Sequence, residues 1–123
     1  MANELSVNVQ ANLAIGNLKE NFAPGNKRID VDAIGSYGSV VTVGQAAEED
    51  YTTGDIATLG WLFLENLDDD NYVTYGPKSG GVMVPFGRLE AGEVAAFRLE
   101  PGITLRWQAD TADVQVKTLL LED

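Results

Sequence analysis

Apolar and polar residues alternate along most of this chain, and this alternation limits its fold more than any other feature. In LSVNVQANLAI, every second residue from Leu5 to Ile15 is apolar. The pattern returns in ITLRWQAD, where Ile103, Leu105, Trp107 and Ala109 alternate with polar residues. Because successive side chains of a β-strand point to opposite faces, a period of two predicts strands with one buried and one wet face.

Turn-forming residues separate these segments at short intervals. Pro24-Gly25-Asn26, Gly80-Gly81, the EAGE segment at 90–93 and Pro101-Gly102 each interrupt an apolar pattern. Ala46 to Asp50 has helix-forming composition but is too short for a stable helix. About eight to ten short strands separated by such turns are typical of a sandwich or barrel. We therefore predict one all-β domain over residues 1–123, an antiparallel β-sandwich resembling a jelly roll.

The segment GWLFLENLDDDNYVTYG, at 60–76, places three aspartates between two apolar patterns. We predict two neighbouring strands joined by a hairpin, with Asp68, Asp69 and Asp70 at its solvated tip. A weak cation site is the alternative. It is disfavoured because a calcium loop needs acids at alternate positions and a glycine between them.

The complete lack of cysteine and histidine removes several chemistries. The chain cannot form disulfides, a triad that uses histidine, or a zinc site with histidine or cysteine ligands. Carboxylate pairs remain at Glu48-Glu49-Asp50 and at Glu122-Asp123. Glycoside hydrolysis would need two acids facing each other across a cleft, and acidic surface explains these residues better. We expect no enzyme activity, no catalytic residue, no cofactor and no metal.

The charge balance of the chain limits the kinds of molecule that it is expected to bind. The net charge is −11, the sequence pI is near 4.2, and the eight basic residues form no stripe. This composition argues against binding to nucleic acid and to anionic membranes. We also expect no membrane-spanning segment, since the apolar runs are only a few residues long. MANELSVNVQ lacks the basic start and apolar core of a signal peptide.

Aromatic residues suggest a further alternative, a carbohydrate-binding module. Trp61, Tyr72, Tyr75 and Trp107 could form a sugar platform. Trp107 lies on the apolar side of its strand pattern and Trp61 opens a buried pattern, so packing in the core or at a subunit interface is favoured for both. GPKSGG, at 76–81, lacks the spacing and the following helix of a phosphate loop and is interpreted as a hairpin loop.

The C-terminal half, Gly60 to Asp123, resembles small β-sandwich structural proteins from the virions of tailed bacteriophages. Three segments carry the resemblance: GWLFLENLDDDNYVTYG, GVMVPFGRLEAGEVAAFRLEPG and ITLRWQADTADVQVKTLLLED. They consist of strands and turns, and the turn residues Gly92, Pro101 and Gly102 are structural. The resemblance supplies no catalytic residue.

The resemblance implies a capsid decoration, or cement, protein. Such a protein would staple neighbouring major capsid protein subunits on the outer surface of the virion and associate with itself as a trimer or a dimer. A tail, baseplate or fibre component is the alternative within the virion. Residues 1–15 are interpreted as either a core strand or an extended contact arm.

Overall fold

The computed structural model describes residues 4–31 and 35–123, and every regular element in them is a β-strand. The chain divides into two compact units, residues 1–33 and 34–123. We call them the N-terminal unit and the sandwich unit. Within the described ranges there is no helix long and apolar enough to cross a bilayer.

In residues 4–31, the N-terminal unit is a ribbon that is two strands wide and contains four strands. They are β1 (Glu4–Asn8), β2 (Ala11–Ile15), β3 (Leu18–Phe22) and β4 (Asn26–Asp30). β1 pairs with β4 and β2 with β3, both antiparallel. Ile15 lies opposite Leu18, so Gly16 and Asn17 form a two-residue turn, and Gly16 has the positive φ that such a turn uses. Sequence reasoning missed this turn.

The structure describes residues 4–15 of the segment that the sequence interprets as a core strand or a contact arm. Residues 4–15 form two short strands with different partners, and none of their side chains is buried. The core-strand and contact-arm interpretations of residues 1–15 both stay predictions. The strand predicted for RIDVDAI ends at Asp30, and residues 32–34 lie outside the described part.

The described part of the sandwich unit contains nine strands. They are β5 (Ser36–Val43), β6 (Glu49–Asp50), β7 (Leu59–Asn66), β8 (Val73–Ser79), β9 (Val82–Met83), β10 (Gly87–Leu89), β11 (Val94–Arg98), β12 (Leu105–Ala109) and β13 (Val114–Glu122). Sheet I has the order β11-β7-β13-β5. Sheet II has the order β10-β8-β12-β6, with β9 paired to β8. The fold is thus an all-β antiparallel sandwich, as predicted.

One core lies between the two sheets. Sheet I contributes side chains such as Leu62, Val116 and Leu120, and sheet II contributes Val73 and Trp107, all 1% exposed or less. Leu105 and Ala109 are buried beside Trp107, which confirms the alternation predicted for that strand. Complete burial of one large apolar side chain stabilises a fold by about 1.5–3 kcal/mol, so these alternating positions are the main source of stability.

The hairpin predicted around the aspartates is wrong. β7 pairs with β11 and β13 in sheet I, whereas β8 pairs with β10 and β12 in sheet II. The aspartate loop therefore crosses from one sheet to the other. Both strands turn apolar residues toward the same interior, Leu62 and Leu64 from β7 and Val73 and Tyr75 from β8. Shared burial, rather than pairing of neighbours, decides where the two strands lie.

Candidate interaction surfaces

The aspartate loop is organised by a buried residue that precedes it. Asn66 is 1% exposed. Its Nδ2 donates hydrogen bonds to the carbonyl oxygens of Asn71 and Leu89, at 2.9 and 3.0 Å. Its Oδ1 accepts one from the backbone N–H of Asp68, at 2.8 Å. This side chain therefore fixes both ends of the crossing between the sheets.

Asp68 closes the same loop from outside. Its Oδ2 accepts hydrogen bonds from the backbone N–H groups of Asn71 and Asp70, at 2.6 and 3.0 Å. These bonds favour the ionised carboxylate and hold the pKa of Asp68 below its usual range. In the described residues, no three acidic side chains lie close enough together to hold a metal ion. The loop is thus a hydrogen-bonded turn.

The acidic cluster at 48–50 forms an ion-pair network around Arg106. Arg106 Nη1 lies 3.1 Å from Glu48 Oε1, and its Nε lies 2.9 Å from Asp50 Oδ1. Lys78 Nζ adds a longer contact to Asp50, at 3.4 Å. Glu48 also accepts a hydrogen bond from the backbone N–H of Met83. The network joins β6, β12 and the β8–β9 turn, and its carboxylates neutralise cations instead of facing each other across a cleft.

The network also shifts the acidity of its members. The Met83 N–H and the Arg106 guanidinium lower the pKa of Glu48, and Arg106 lowers that of Asp50. Near the C-terminus, Glu122 accepts a hydrogen bond from the backbone of Ala57, and Asp123 pairs with Arg98 at 2.5 Å. These acids therefore serve as structural contacts.

The four-residue sugar platform is wrong as a common surface. Trp107 is 1% exposed and Tyr75 is 8% exposed, and both belong to the core. Tyr72 lies under the guanidinium of Arg88, 3.9 Å from the ring centroid. Trp61 belongs to sheet I, away from the other three on sheet II and its adjoining loop. No shared aromatic plane results from this arrangement.

A shallow groove opens beside β6. Its volume is about 430 Å³, and its lining includes Thr52, Thr53, Ile56, Ile103 and Thr104. The lining mixes hydroxyl groups with aliphatic side chains and contains a single carboxylate, that of Asp50. This chemistry does not select a particular ligand, so the groove defines no reaction.

The outer side of sheet I carries apolar side chains beside polar ones such as Glu65, Gln115 and Lys117. Trp61 and Phe63 stack with their ring centroids 5.9 Å apart, and the Arg98 guanidinium lies 5.9 Å from the Trp61 centroid. In the strand register, Phe63 lies between Ala96 and Leu119. We define the sheet I face as the outward apolar side chains of this sheet: Val40, Trp61, Phe63, Val94, Ala96 and Leu119. Val40, Val94 and Leu119 are 56%, 73% and 41% exposed.

Sequence reasoning anticipated only part of this face. The sequence pattern assigns Trp61 to packing in the core or at a subunit interface, and it places Phe63 in a mostly buried strand. β7 reads WLFLE over 61–65, so apolar residues occupy both of its sides. Apolar residues on both sides of β7 were the signal in the sequence for apolar groups on its outer side, because a strand with one solvated side normally carries polar residues there.

A second apolar surface lies on the β2–β3 hairpin. Leu13, Ile15, Leu18 and Phe22 share one side of the hairpin and are between 43% and 65% exposed. We define these four residues as the hairpin face. Glu20, directly across from Leu13, lies on the same side. The opposite side carries Asn12, Ala14, Lys19 and Asn21. Contiguous exposed apolar groups on a protein mark sites of contact with other molecules.

Comparison of the chain with models of protein families, with curated proteins and with solved structures finds no match. The geometry is that of an antiparallel β-sandwich joined to a two-stranded ribbon. Among the described residues, exposed apolar side chains form the sheet I face and the hairpin face, and a further group, Val82, Val84 and Phe86, lies in β9 and the segment before β10.

Proposed function

We propose that this chain is a non-enzymatic structural protein of a bacteriophage virion. Its place is the outer surface of the capsid, where it acts as a decoration protein and joins neighbouring subunits of the major capsid protein. The observation that carries the proposal is the hairpin face. The ribbon at 4–31 buries none of its own side chains, yet it presents Leu13, Ile15, Leu18 and Phe22 to the outside.

The ribbon is suited to act as a contact arm. A two-stranded hairpin is marginally stable at best by itself in water, so a surface that covers its apolar side would stabilise it. Glu4 to Ile15, at about 3.3 Å per residue, would extend up to about 40 Å. A ribbon of that length can cover a subunit boundary. The mechanism is additional buried interface, with no reaction.

The distribution of charge supports an external position. Residues 34–123 contain 15 Asp and Glu against 5 Lys and Arg, a net charge of −10. Packaged DNA is a dense array of negative phosphates, so a protein of this charge is disfavoured on the inner surface of a capsid. On the outer surface the same charge favours solubility.

We also propose that the sandwich is a jelly roll, a fold that occurs widely in viral capsids. The strands β5, β6, β7 and β8 alternate between sheet I and sheet II along the chain. After β10, the strands β11, β12 and β13 alternate again. Each sheet therefore combines strands from both ends of the sandwich unit, as two interlocking Greek keys require.

The test uses particles that lack this protein and are then mixed with purified chains. We expect the unmodified chain to bind them and to raise their resistance to heat and osmotic shock. Ile15→Lys, on the hairpin face, should abolish both effects, because the lysine would be buried without a partner. Ala14→Lys, on the opposite side of the same hairpin, is the matched control and should bind normally.

Equal binding by the two variants would exclude the hairpin face as the capsid contact. The number of copies per virion tests the position itself. A shell protein should approach the abundance of the major capsid protein on a stained gel. A few copies per virion would instead assign the chain to the tail, baseplate or fibre.

A further inference from the structure

We propose that β5 is a docking edge for an extended segment of another protein, which joins sheet I as a further strand. The segment has uncharged residues in its middle and lysine or arginine at both ends. The inference concerns the sandwich unit and a different surface from the hairpin face. It does not rest on the virion assignment, because it follows from the backbone of β5 and the charges around it.

Among the described strands, β5 is the least protected sheet edge. Sheet II ends in β6 and β10, which have two and three residues. β11, the other edge of sheet I, has five residues and ends in Arg98. β5 has eight residues, SYGSVVTV, without a charge or a proline. Because open edges pair with other chains, proteins usually keep them short, charged or interrupted by proline. A long uncharged edge is suited to strand addition.

The strand register shows which backbone groups of β5 are open. The N–H of Glu122 donates to the carbonyl oxygen of Gly35, at 2.9 Å, just before β5 begins. The N–H of Leu67 donates to the carbonyl oxygen of Gln115, so Gln115 turns its backbone toward β7 and away from its β5 partner, Thr42. Bonded and non-bonded residues alternate along such a ladder. Four exposed residues of β5 therefore direct their N–H and C=O groups away from β13: Ser36, Gly38, Val40 and Thr42.

These four open-edge residues determine what kind of molecule can cover them. No strand of the described residues pairs with their outward side. Their donors and acceptors recur at every second residue, about 6.6 Å apart. Another extended backbone presents donors and acceptors at the same repeat, whereas a helix bonds its own groups internally. The occupant that can bond to all four residues is therefore an extended polypeptide segment.

The charges around β5 select the composition of that segment. Glu49 and Asp113 accept hydrogen bonds from the two backbone N–H groups that follow β5, at 2.9 and 3.0 Å. At the other end, the Glu122 carboxylate lies against Gly35. Lys117 lies directly across from the middle of β5. A segment with basic ends meets carboxylates at both of them, and an uncharged middle avoids repulsion from Lys117.

The same carboxylates disfavour a second copy of this chain as the occupant. Antiparallel pairing of β5 with itself would bring Glu49 and Asp113 of one chain close to Glu122 of the other, at both ends of the new pair. Like charges that face each other across strands are destabilising. Two chains of net charge −11 also repel each other at longer range. A different protein is therefore favoured.

An NMR titration of the full chain with a synthetic peptide tests the proposal. The probe is Lys-Thr-Val-Thr-Ile-Thr-Val-Thr-Lys with blocked termini. We expect a Kd of about 1 mM or below. The amide hydrogens of the open-edge residues should exchange more slowly with solvent, since each gains a hydrogen bond. The same peptide with glutamate in place of both lysines should bind at least about tenfold more weakly.

Two variants of one residue test the backbone contact. Val40→Pro removes an open N–H from the middle of the edge, a position where proline is tolerated. It should weaken binding of the lysine-ended peptide at least about tenfold. Val40→Thr keeps that N–H and is the matched control, which should bind like the unmodified chain. If circular dichroism shows that Val40→Pro does not fold, Gly38→Pro takes its place.

Five results would overturn the proposal. They are no binding of the lysine-ended peptide, equal binding of the two peptides, equal binding by the proline and threonine variants, slower exchange confined to β11, and dimerisation of the unmodified chain through β5. Added salt should weaken binding of the lysine-ended peptide, since it screens the attraction between its ends and the carboxylates.

Discussion

At the scale of single residues, one buried amide determines the shape of the most conspicuous acidic segment. The three aspartates draw attention in the sequence, but Asn66 is the residue that holds their loop. Asp68 contributes only through local hydrogen bonds to the following backbone. A polar group that bonds three backbone groups in the interior costs much more to remove than an exposed acid does.

Asn66→Ala should therefore destabilise the sandwich unit by about 2–3 kcal/mol, because it leaves the carbonyl groups of Asn71 and Leu89 without their donor. Urea unfolding, followed by tryptophan fluorescence, measures the change. Asp69→Ala, in the same loop but exposed, is the control and should change the stability by less than about 0.5 kcal/mol. Equal effects of the two changes would contradict the role assigned to Asn66.

At the scale of elements, the ion-pair network around Arg106 fastens the shortest strands. β6 and β9 have two residues each, and pairing alone holds such strands weakly. Glu48 bonds both Arg106 and the backbone of Met83, and Asp50 bonds Arg106 and Lys78. β9 ends at Met83, two residues before Pro85, which has no N–H to donate to another strand. The ion pairs and this proline together disfavour the pairing of β9 with a strand of another chain.

This network predicts that the stability of the folded chain depends on pH. The pKa values of Glu48 and Asp50 are lower in the folded chain than in the unfolded one. Their contribution to the stability of the fold is therefore complete at a pH above their pKa values in the unfolded chain, about 4. It is lost as the pH falls through their lower pKa values in the folded chain. Arg106→Gln should lower the melting temperature at pH 7, and the difference from the unmodified chain should shrink below about pH 4.

Differential scanning calorimetry between neutral and acidic pH measures this trend. Arg28→Gln is the control, since Arg28 pairs with Glu4 in the N-terminal unit, 3.8 Å away and largely exposed. Its melting temperature should follow that of the unmodified chain at every pH. A difference for Arg106→Gln that stayed constant down to acidic pH would show that the carboxylates do not carry the effect.

At the scale of the whole molecule, the buried core and the hairpin face belong to different units of the chain. The described core draws its buried residues from Val43 to Leu120, all within the sandwich unit. The described ribbon contributes none, and it carries the hairpin face instead. A protein that separates the two roles can present an apolar contact surface without weakening its own core.

Removal of residues 1–33 should therefore leave the sandwich folded. We expect a cooperative thermal transition whose midpoint lies within about 4 °C of that of the full chain, a shift of no more than about 1 kcal/mol in a domain of this size. Loss of the cooperative transition would show that the ribbon contributes to the fold of the sandwich. Dispersion in an NMR spectrum of the shortened chain gives an independent check.

The sequence by itself determined many, though not all, of the local elements. The period of two correctly predicted which residues of β12 point into the core, because side-chain alternation is a property of every extended backbone. Gly80-Gly81 correctly placed a turn between β8 and β9, because both glycines adopt the positive φ that other residues disfavour. The lack of histidine and cysteine limited the available chemistry without any reference to structure. These conclusions need only neighbours along the chain.

Only the tertiary structure decided which strands are neighbours in space. The sequence patterns of β7 and β8 fit a hairpin as well as they fit two strands in different sheets. Burial in a shared core placed the two strands in different sheets. The same core buried Tyr75 and Trp107 and left Phe63 and Leu119 on an outer face. The apolar side chains in a sequence indicate which residues prefer burial. They do not indicate which surface covers them, because the hydrophobic effect is non-directional. Partners, whether strands or subunits, are set by packing.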